Sequence, residues 1–166
     1  MILYIVRHSD AVSSGTPGVP EDDRPLTEKG IKKMREVARG LRAVEVLPEL
    51  ILSSPLPRAR RTAEIIVEEM GGKIPLKLTN ALAPSGSRSE LYRELRADRK
   101  LSALMIVGHQ PALGEIAGEI AWGSAEHCLE LKKGGACALE VGRLDPIPAG
   151  TLLWLLTPAI SRQVRP

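Results

Sequence analysis

The sequence predicts an α/β protein, a three-layer α/β/α sandwich around a mainly parallel central sheet. Three observations lead to this reading. Short apolar runs rich in β-branched residues, residues 2–6, 50–52 and 103–107, lack the alternation of a half-exposed strand and read as strands covered on both faces. Segments with apolar residues at helical spacing separate them. Two more strand-like runs near the C-terminal end have no helix between them, so an antiparallel pair is expected at one edge of the sheet. The 166 residues suit one ordinary domain spanning 1–166, with no linker, composition break or internal period.

The elements follow in order. Ile2-Leu3-Tyr4-Ile5-Val6 reads as a central strand that ends at Arg7, far too short for a signal-peptide core or a membrane span. After a polar loop rich in Gly and Pro, residues 13–25, Thr27 can cap a helix whose buried stripe is Ile31, Met34, Val37, Ala38, Leu41 and Val44. Leu50-Ile51-Leu52-Ser53-Ser54 is the second strand, and Pro55 and Pro57 lead into a helix with the stripe Ala59, Ala63, Ile66, Val67 and Met70, stopped by Gly71-Gly72. A strand near residues 75–79, a loop at 84–87 and a helix over 89–99 come next. The buried strand 103–107 then runs into Gly108-His109-Gln110-Pro111 and a helix over 112–122. Strands near 136–141 and 151–156, joined through a turn with Pro and Gly, form the hairpin.

Composition excludes several function classes. Apolar residues at 43% and charged residues at 26% describe an ordinary globular chain. The net charge of +3 is spread over interleaved basic and acidic residues, and two Trp and two Tyr with no Phe offer no stacking platform, so neither nucleic acid nor a membrane is the expected partner. Cys128 and Cys137 lack metal-type spacing or a disulfide framework and are expected as buried reduced thiols, which favours a cytoplasmic location.

Titratable residues follow three of the buried strands: Arg7-His8, then Arg58, then His109. Polar residues leaving parallel strands arrive at one sheet rim, so these are expected to meet in space. Arg58, with Arg60 and Arg61 close behind, falls in a first helical turn, where the helix dipole disfavours cations. A bound anion would resolve that conflict by accepting both guanidinium and backbone N–H hydrogen bonds. Taken singly, the arginines could point to water and each histidine could be structural. A metal site is not expected, because the three histidines lack close ligand spacing.

Together the pieces resemble a known family. The order of Arg7-His8 after a strand, Arg24-Pro25-Leu26-Thr27 with Gly30, Ser53-Ser54-Pro55-Leu56-Pro57-Arg58-Ala59 with Thr62-Ala63, and Gly108-His109 is similar to the histidine phosphatase superfamily, which includes the cofactor-dependent phosphoglycerate mutases. Chain length, Asp10-Ala11 and the His109-Gln110-Pro111 loop most resemble its small SixA-type phosphohistidine phosphatases. The resemblance implies a phosphoglycerate mutase-like fold and a phosphatase without metal or organic cofactor. His8 would be the nucleophile, Arg7 and Arg58 would bind phosphate oxygens, and His109 would complete a pocket to which Gln110 adds a substrate contact.

The residue types suit that chemistry. A histidine must be neutral to attack phosphorus, and neighbouring Arg7 and Arg58 would disfavour its charged form while stabilising the phosphoryl charge in the transition state. Two departures from the family pattern stand out: Ser9 where glycine commonly follows the nucleophile, and Arg61 where glutamine is frequent. Relatives often carry a glutamate proton donor after the third strand, whereas residues 81–87 contain no carboxylate, leaving Asp10 and Glu90 as candidate donors. Phosphohistidine needs a donor least, because its leaving imidazole has a conjugate acid with pKa about 6.5. The expected substrate is therefore phosphohistidine in a signalling protein, with a small-molecule phosphomonoesterase or mutase as the alternative, and a non-catalytic phosphate-binding module as a third reading. Residues 13–25 and 84–99 are expected to border an open mouth suited to a phosphorylated side chain.

Overall fold

The computed structural model describes residues 1–164, so the last two residues of the expected 1–166 unit lie outside the described residues. The chain runs β1 (Ile2–Arg7), α1 (Glu28–Ala43), β2 (Leu50–Ser53), α2 (Pro57–Glu69), β3 (Leu76–Leu78), a 3-10 turn (Asn80–Leu82), α3 (Arg88–Ala97), β4 (Ala103–Gly108), α4 (Ala112–Trp122), β5 (Ala136–Arg143), β6 (Ala149–Leu156) and α5 (Pro158–Ser161). The six strands form one sheet in the order β3-β2-β4-β1-β5-β6. β3, β2, β4 and β1 are parallel, while β5 pairs antiparallel with both β1 and β6.

The unalternating apolar runs have the cause the sequence suggested. Leu3 and Ile5 of β1, Leu50 and Leu52 of β2, and Leu104 and Ile106 of β4 join one core with Leu91 and Leu95 of α3 and Leu113, Ile116 and Ile120 of α4. The alternate residues Tyr4, Val6, Ile51, Met105 and Val107 join a second core with Met34, Val37 and Leu41 of α1 and Ala63, Ile65 and Ile66 of α2. With helices on both faces, every β4 residue is buried, so no position on that strand can be polar without a buried partner.

Several boundaries differ from expectation. Val44, expected in the buried stripe of α1, is the C-cap and is 42% exposed, because the helix ends at Ala43 and the chain turns away through Glu45 at φ 57°. β3 is limited to three residues and pairs with β2 alone, so its side chains are half-exposed or exposed. The hairpin strands are longer than expected, because the β5–β6 pairing continues to Arg143 and Ala149. The sequence reading missed α5, although Thr157-Pro158 carries a start signal: the Thr157 hydroxyl accepts from the Ile160 N–H and Pro158 sits in the first turn. Cys137 is buried as expected, but Cys128 is exposed, since it lies in the irregular segment after α4 rather than in a strand.

α1 is set against the loop after β1 by a missing side chain. A Cβ on Gly30 would come within 2.1 Å of the Asp10 carbonyl oxygen, which already accepts from the Thr27 N–H at 3.0 Å. Gly30→Ala should gain up to about 1 kcal/mol in helix propensity and still lower stability by about 1–3 kcal/mol through the backbone clash. Urea midpoints of the two proteins measure the net sign.

Candidate active site

The strand order brings the predicted residues together. β4 lies between β2 and β1, so the carboxyl ends of three strands adjoin, and the chain leaving each is tied to its neighbour. The His8 N–H donates to the Gly108 carbonyl at 3.0 Å, and the Ser54 N–H donates to the Val107 carbonyl at 3.0 Å. His109 therefore sits between the other two exits. Its Nε2 is 2.9 Å from Ser54 Oγ, and its ring centre is 5.1 Å from that of His8.

Each of the two predicted arginines is anchored by one nitrogen. Arg7 Nη1 donates to the Leu131 carbonyl at 2.8 Å, and Arg58 Nη1 donates to the Glu21 carbonyl at 3.0 Å. Among the described residues Nη2 of neither has a hydrogen-bond partner, and the buried Nε atoms of Arg7, Arg58 and Arg24 are unpartnered as well. Arg58 is only 4% exposed and has no ion-pair partner among the described residues. Buried, unpaired guanidinium is costly to hold in a fold, and an oxyanion with several lone pairs is the ligand that would offset that cost. By contrast Arg60 and Arg61 pair with Glu64 and Glu68 on the outside of α2, so the run of first-turn cations divides into one inward and two outward residues.

The histidines are held neutral. His8 Nδ1 is 2.7 Å from the Ser9 carbonyl, which can only accept, so Nδ1 bears the proton and Nε2 keeps its lone pair. Burial pushes the His8 pKa down to about 4, helped by the charges of Arg58, Arg7 and Lys133 and opposed by the Ser9 carbonyl. His109 is pushed down to about 3, first by burial and then by His8 and the charges of Arg58, Arg24 and Arg7. The cup thus presents an imidazole nitrogen with a free electron pair beside guanidinium groups, a combination fit for attack on a phosphoryl group.

Ser9 accounts for itself. It is fully buried at a φ that is not positive, its Oγ donates to the Gly30 carbonyl at 2.8 Å, and its N–H donates to Thr62 Oγ1 at 3.1 Å. Thr62 Oγ1 in turn donates to the Arg58 carbonyl at 2.7 Å. One serine therefore ties the nucleophile candidate to α1 and to the helix that carries Arg58.

The remaining predicted residues fare differently. Gln110 holds the loop to α4: its Nε2 donates to the Leu129 carbonyl and its Oε1 accepts from the Gly114 N–H, each at 2.8 Å, which leaves one N–H for a substrate contact. The Asp10 carboxylate accepts from Lys33 Nζ at 3.0 Å, and its charge acts on Arg7. Glu90 is exposed on α3 with its carboxylate 4.0 Å from Arg93. The loop of residues 13–25 does reach the site, closed at its neck by the Ala11–Leu26 bridge and touching Arg58 through the Glu21 carbonyl. Sequence reasoning assigned no role to Ser54 or Arg24, although both stand inside the quoted motifs. It also missed Glu130, whose charge acts on Arg7, and Lys133, whose charge acts on His8. Nothing in the charged run 130–133 marks them, because the pairing of β5 with β1 is what delivers that segment to the rim.

The two depressed histidines set a pH dependence. In the unfolded chain each imidazole takes up a proton near pH 6.5, while in the folded protein uptake waits until about pH 4 for His8 and about pH 3 for His109. Between those values the unfolded state binds more protons, so their contribution to stability is complete above about pH 6.5 and is lost progressively on acidification. Denaturant midpoints should fall from about pH 6.5 down to about pH 4, and the double variant His8→Asn/His109→Asn should show a shallower fall, with equal slopes counting against buried neutral imidazoles.

Comparison with known proteins agrees with this geometry. The family model described as histidine phosphatase superfamily (branch 1) matches residues 3–85, which hold Arg7, His8, Arg24, Ser54, Arg58 and Thr62. An uncharacterized protein of Picosynechococcus is 41% identical over 148 residues, covering 86% of each chain. The phosphohistidine phosphatase SixA of Escherichia coli (strain K12) is 24% identical over 160 residues, 95% of this chain and 94% of that protein. Among solved structures, the protein histidine phosphatase SixA complexed with tungstate superposes with a TM-score of 0.84 at 23% identity, covering 96% of this chain and 99% of the other, which establishes the shared fold. With two arginines and two neutral histidines gathered at one sheet rim by the family's own ordered motifs, the chain belongs to the histidine phosphatase superfamily.

Proposed function

We propose that the protein is a metal-independent phosphatase that works through a phosphohistidine on His8, and that its substrate is a phosphohistidine side chain of another protein. One observation carries this reading: the bond from His8 Nδ1 to the Ser9 carbonyl leaves an unprotonated Nε2 in a cup where Arg7 and Arg58 have no ion-pair partner among the described residues and keep nitrogens without a hydrogen bond. Arg7 and Arg58 take phosphoryl oxygens through their open Nη2 groups, and Arg24 adds charge behind them. His8 Nε2 attacks phosphorus while the bond from phosphorus to the substrate nitrogen breaks, and the electron pair leaves with the substrate's imidazole. That imidazole departs neutral when its other nitrogen carries a proton. Water then attacks the phosphoryl group on His8, the electron pair of the broken P–N bond returns to Nε2, and the water's protons stay with the released phosphate or pass to solvent.

The cationic cup stabilises the charge that spreads over the equatorial oxygens, which is the main demand of phosphoryl transfer. A low imidazole pKa keeps Nε2 available before attack and lets it leave unprotonated afterwards. The likeness to SixA of Escherichia coli, a phosphohistidine phosphatase, supports the same substrate class. No carboxylate hydrogen-bonds to His8 or His109 among the described residues, which suits a substrate that needs no acid. Under the second reading, a small-molecule phosphomonoesterase or mutase, the leaving alkoxide takes its proton from Asp10, two residues from His8, since the Lys132 partner holds the Glu130 carboxyl below the usual range.

Labelled phosphohistidine protein should leave acid-labile, base-stable label on the wild-type chain after rapid quenching. His8→Ala should carry no label and show no turnover while keeping its far-ultraviolet spectrum, and full activity in that variant would end the mechanism. Arg58→Ala should lose roughly a hundredfold to a thousandfold in kcat/KM, as removal of a charge-stabilising donor does. Rates on a panel of phosphorylated metabolites exceeding those on phosphohistidine protein would favour the second reading.

A further inference from the structure

A groove of about 440 Å³ opens beside the site, lined by Asp10, Lys29, Lys32, Lys33, Glu36 and Arg162. Its two acidic residues are matched within it, Asp10 by Lys33 at 3.0 Å and Glu36 by Arg162 at 3.4 Å. Lys29 and Lys32 are exposed and have no acidic partner among the described residues, so the groove keeps an unbalanced positive charge. Local stability does not explain them. Three lysines within the first six residues of α1 oppose the helix dipole, whose positive end favours acidic residues.

The groove adjoins the site through Asp10. Asp10 follows His8 by two residues, so their backbones are at most about 7 Å apart. The stem of Lys33 lies 3.7 Å from where a Cβ on Gly134 would stand, next to Lys133, whose charge acts on His8. The Asp10–Lys33 pair thus stands between the imidazole and the unbalanced lysines of α1. Flexible lysines in an open groove without aromatic residues recognise charge rather than shape, and they act on an approaching partner chiefly through steering and orientation.

We infer that the groove between α1 and α5 docks an acidic segment flanking the phosphohistidine of the substrate protein. The inference rests on the proposed substrate class and adds to it a requirement on the partner's surface charge. Lys29 and Lys32 touch no group of the cup, so they determine which phosphoprotein is admitted without taking part in the chemistry.

The test uses the full chain with three probes: a phosphohistidine peptide flanked by glutamates, the same peptide flanked by alanines, and free phosphohistidine. Wild type should prefer the glutamate peptide over the alanine peptide by about tenfold or more in kcat/KM, and the preference should shrink as salt rises. Lys29→Glu/Lys32→Glu should abolish the preference and leave the rate on free phosphohistidine unchanged. Should that variant unfold, Lys29→Gln/Lys32→Gln replaces it with the same expectation. Hydrolysis of both peptides by wild type at equal rates, or a preference that survives the substitutions, overturns the docking groove alone. Failure to hydrolyse any of the three while another phosphorylated compound is turned over overturns the substrate reading and the groove with it.

Discussion

The site depends on keeping two imidazoles uncharged next to unpaired guanidinium groups at the end of a buried strand. His8 and His109 are 6% and 5% exposed, and burial is the leading cause of their low pKa values in each case. Removing water disfavours the imidazolium form more than any neighbouring charge does here, and the arginines add to the effect. The same burial would be prohibitive for the arginines if nothing held them. Each therefore has one terminal nitrogen on a main-chain carbonyl, which satisfies a donor without neutralising the charge. Carbonyl anchoring keeps the positive field available to a ligand, whereas a carboxylate partner would have cancelled it.

That arrangement can exist only because the surrounding frame is tight. β4 threads between β2 and β1, and each exit from the sheet is hydrogen-bonded to its neighbour. Gly30 lets α1 approach the backbone at Asp10, and Thr62 links the N–H of Ser9 to the carbonyl of Arg58. Ser9 is where this chain departs from the usual glycine, and the departure is absorbed by chemistry: its backbone does not need a positive φ, and its hydroxyl finds the Gly30 carbonyl. The substituted position thus adds a hydrogen bond to the frame where a glycine would have left the Gly30 carbonyl without it.

Charge is distributed in two zones with different duties. Inside the cup Arg7 and Arg58 have no ion-pair partner among the described residues, while Arg24 behind them pairs with Glu21. Outside, Arg60 and Arg61 of α2 and Arg35 of α1 are balanced by Glu64, Glu68 and Glu69 of α2 and serve the surface and the contact between the two helices. Exposed pairs of this kind contribute little individually. Lys29 and Lys32 belong to neither zone, which is why their placement beside the mouth bears on the partner rather than on the fold.

The layered α/β architecture was legible in the residues, because a run such as Leu104-Met105-Ile106-Val107 can be satisfied only by cover on both faces. So was the rim that Arg7, His8, Arg58 and His109 share, since residues leaving parallel strands have nowhere else to go. Tertiary structure alone decided how each residue is used. Gln110 is bonded to Leu129 and Gly114, partners assigned by the packing of α4 against the segment that follows it. Glu130 and Lys133 were illegible in a charged stretch and reach the site because β5 pairs with β1. Which ring nitrogen of His8 keeps its lone pair was likewise settled by the Ser9 carbonyl, a backbone direction that no side-chain pattern encodes. Periodicity records which faces are buried, but the partners of a polar atom depend on segments far apart in the chain, and those are set only when the sheet closes.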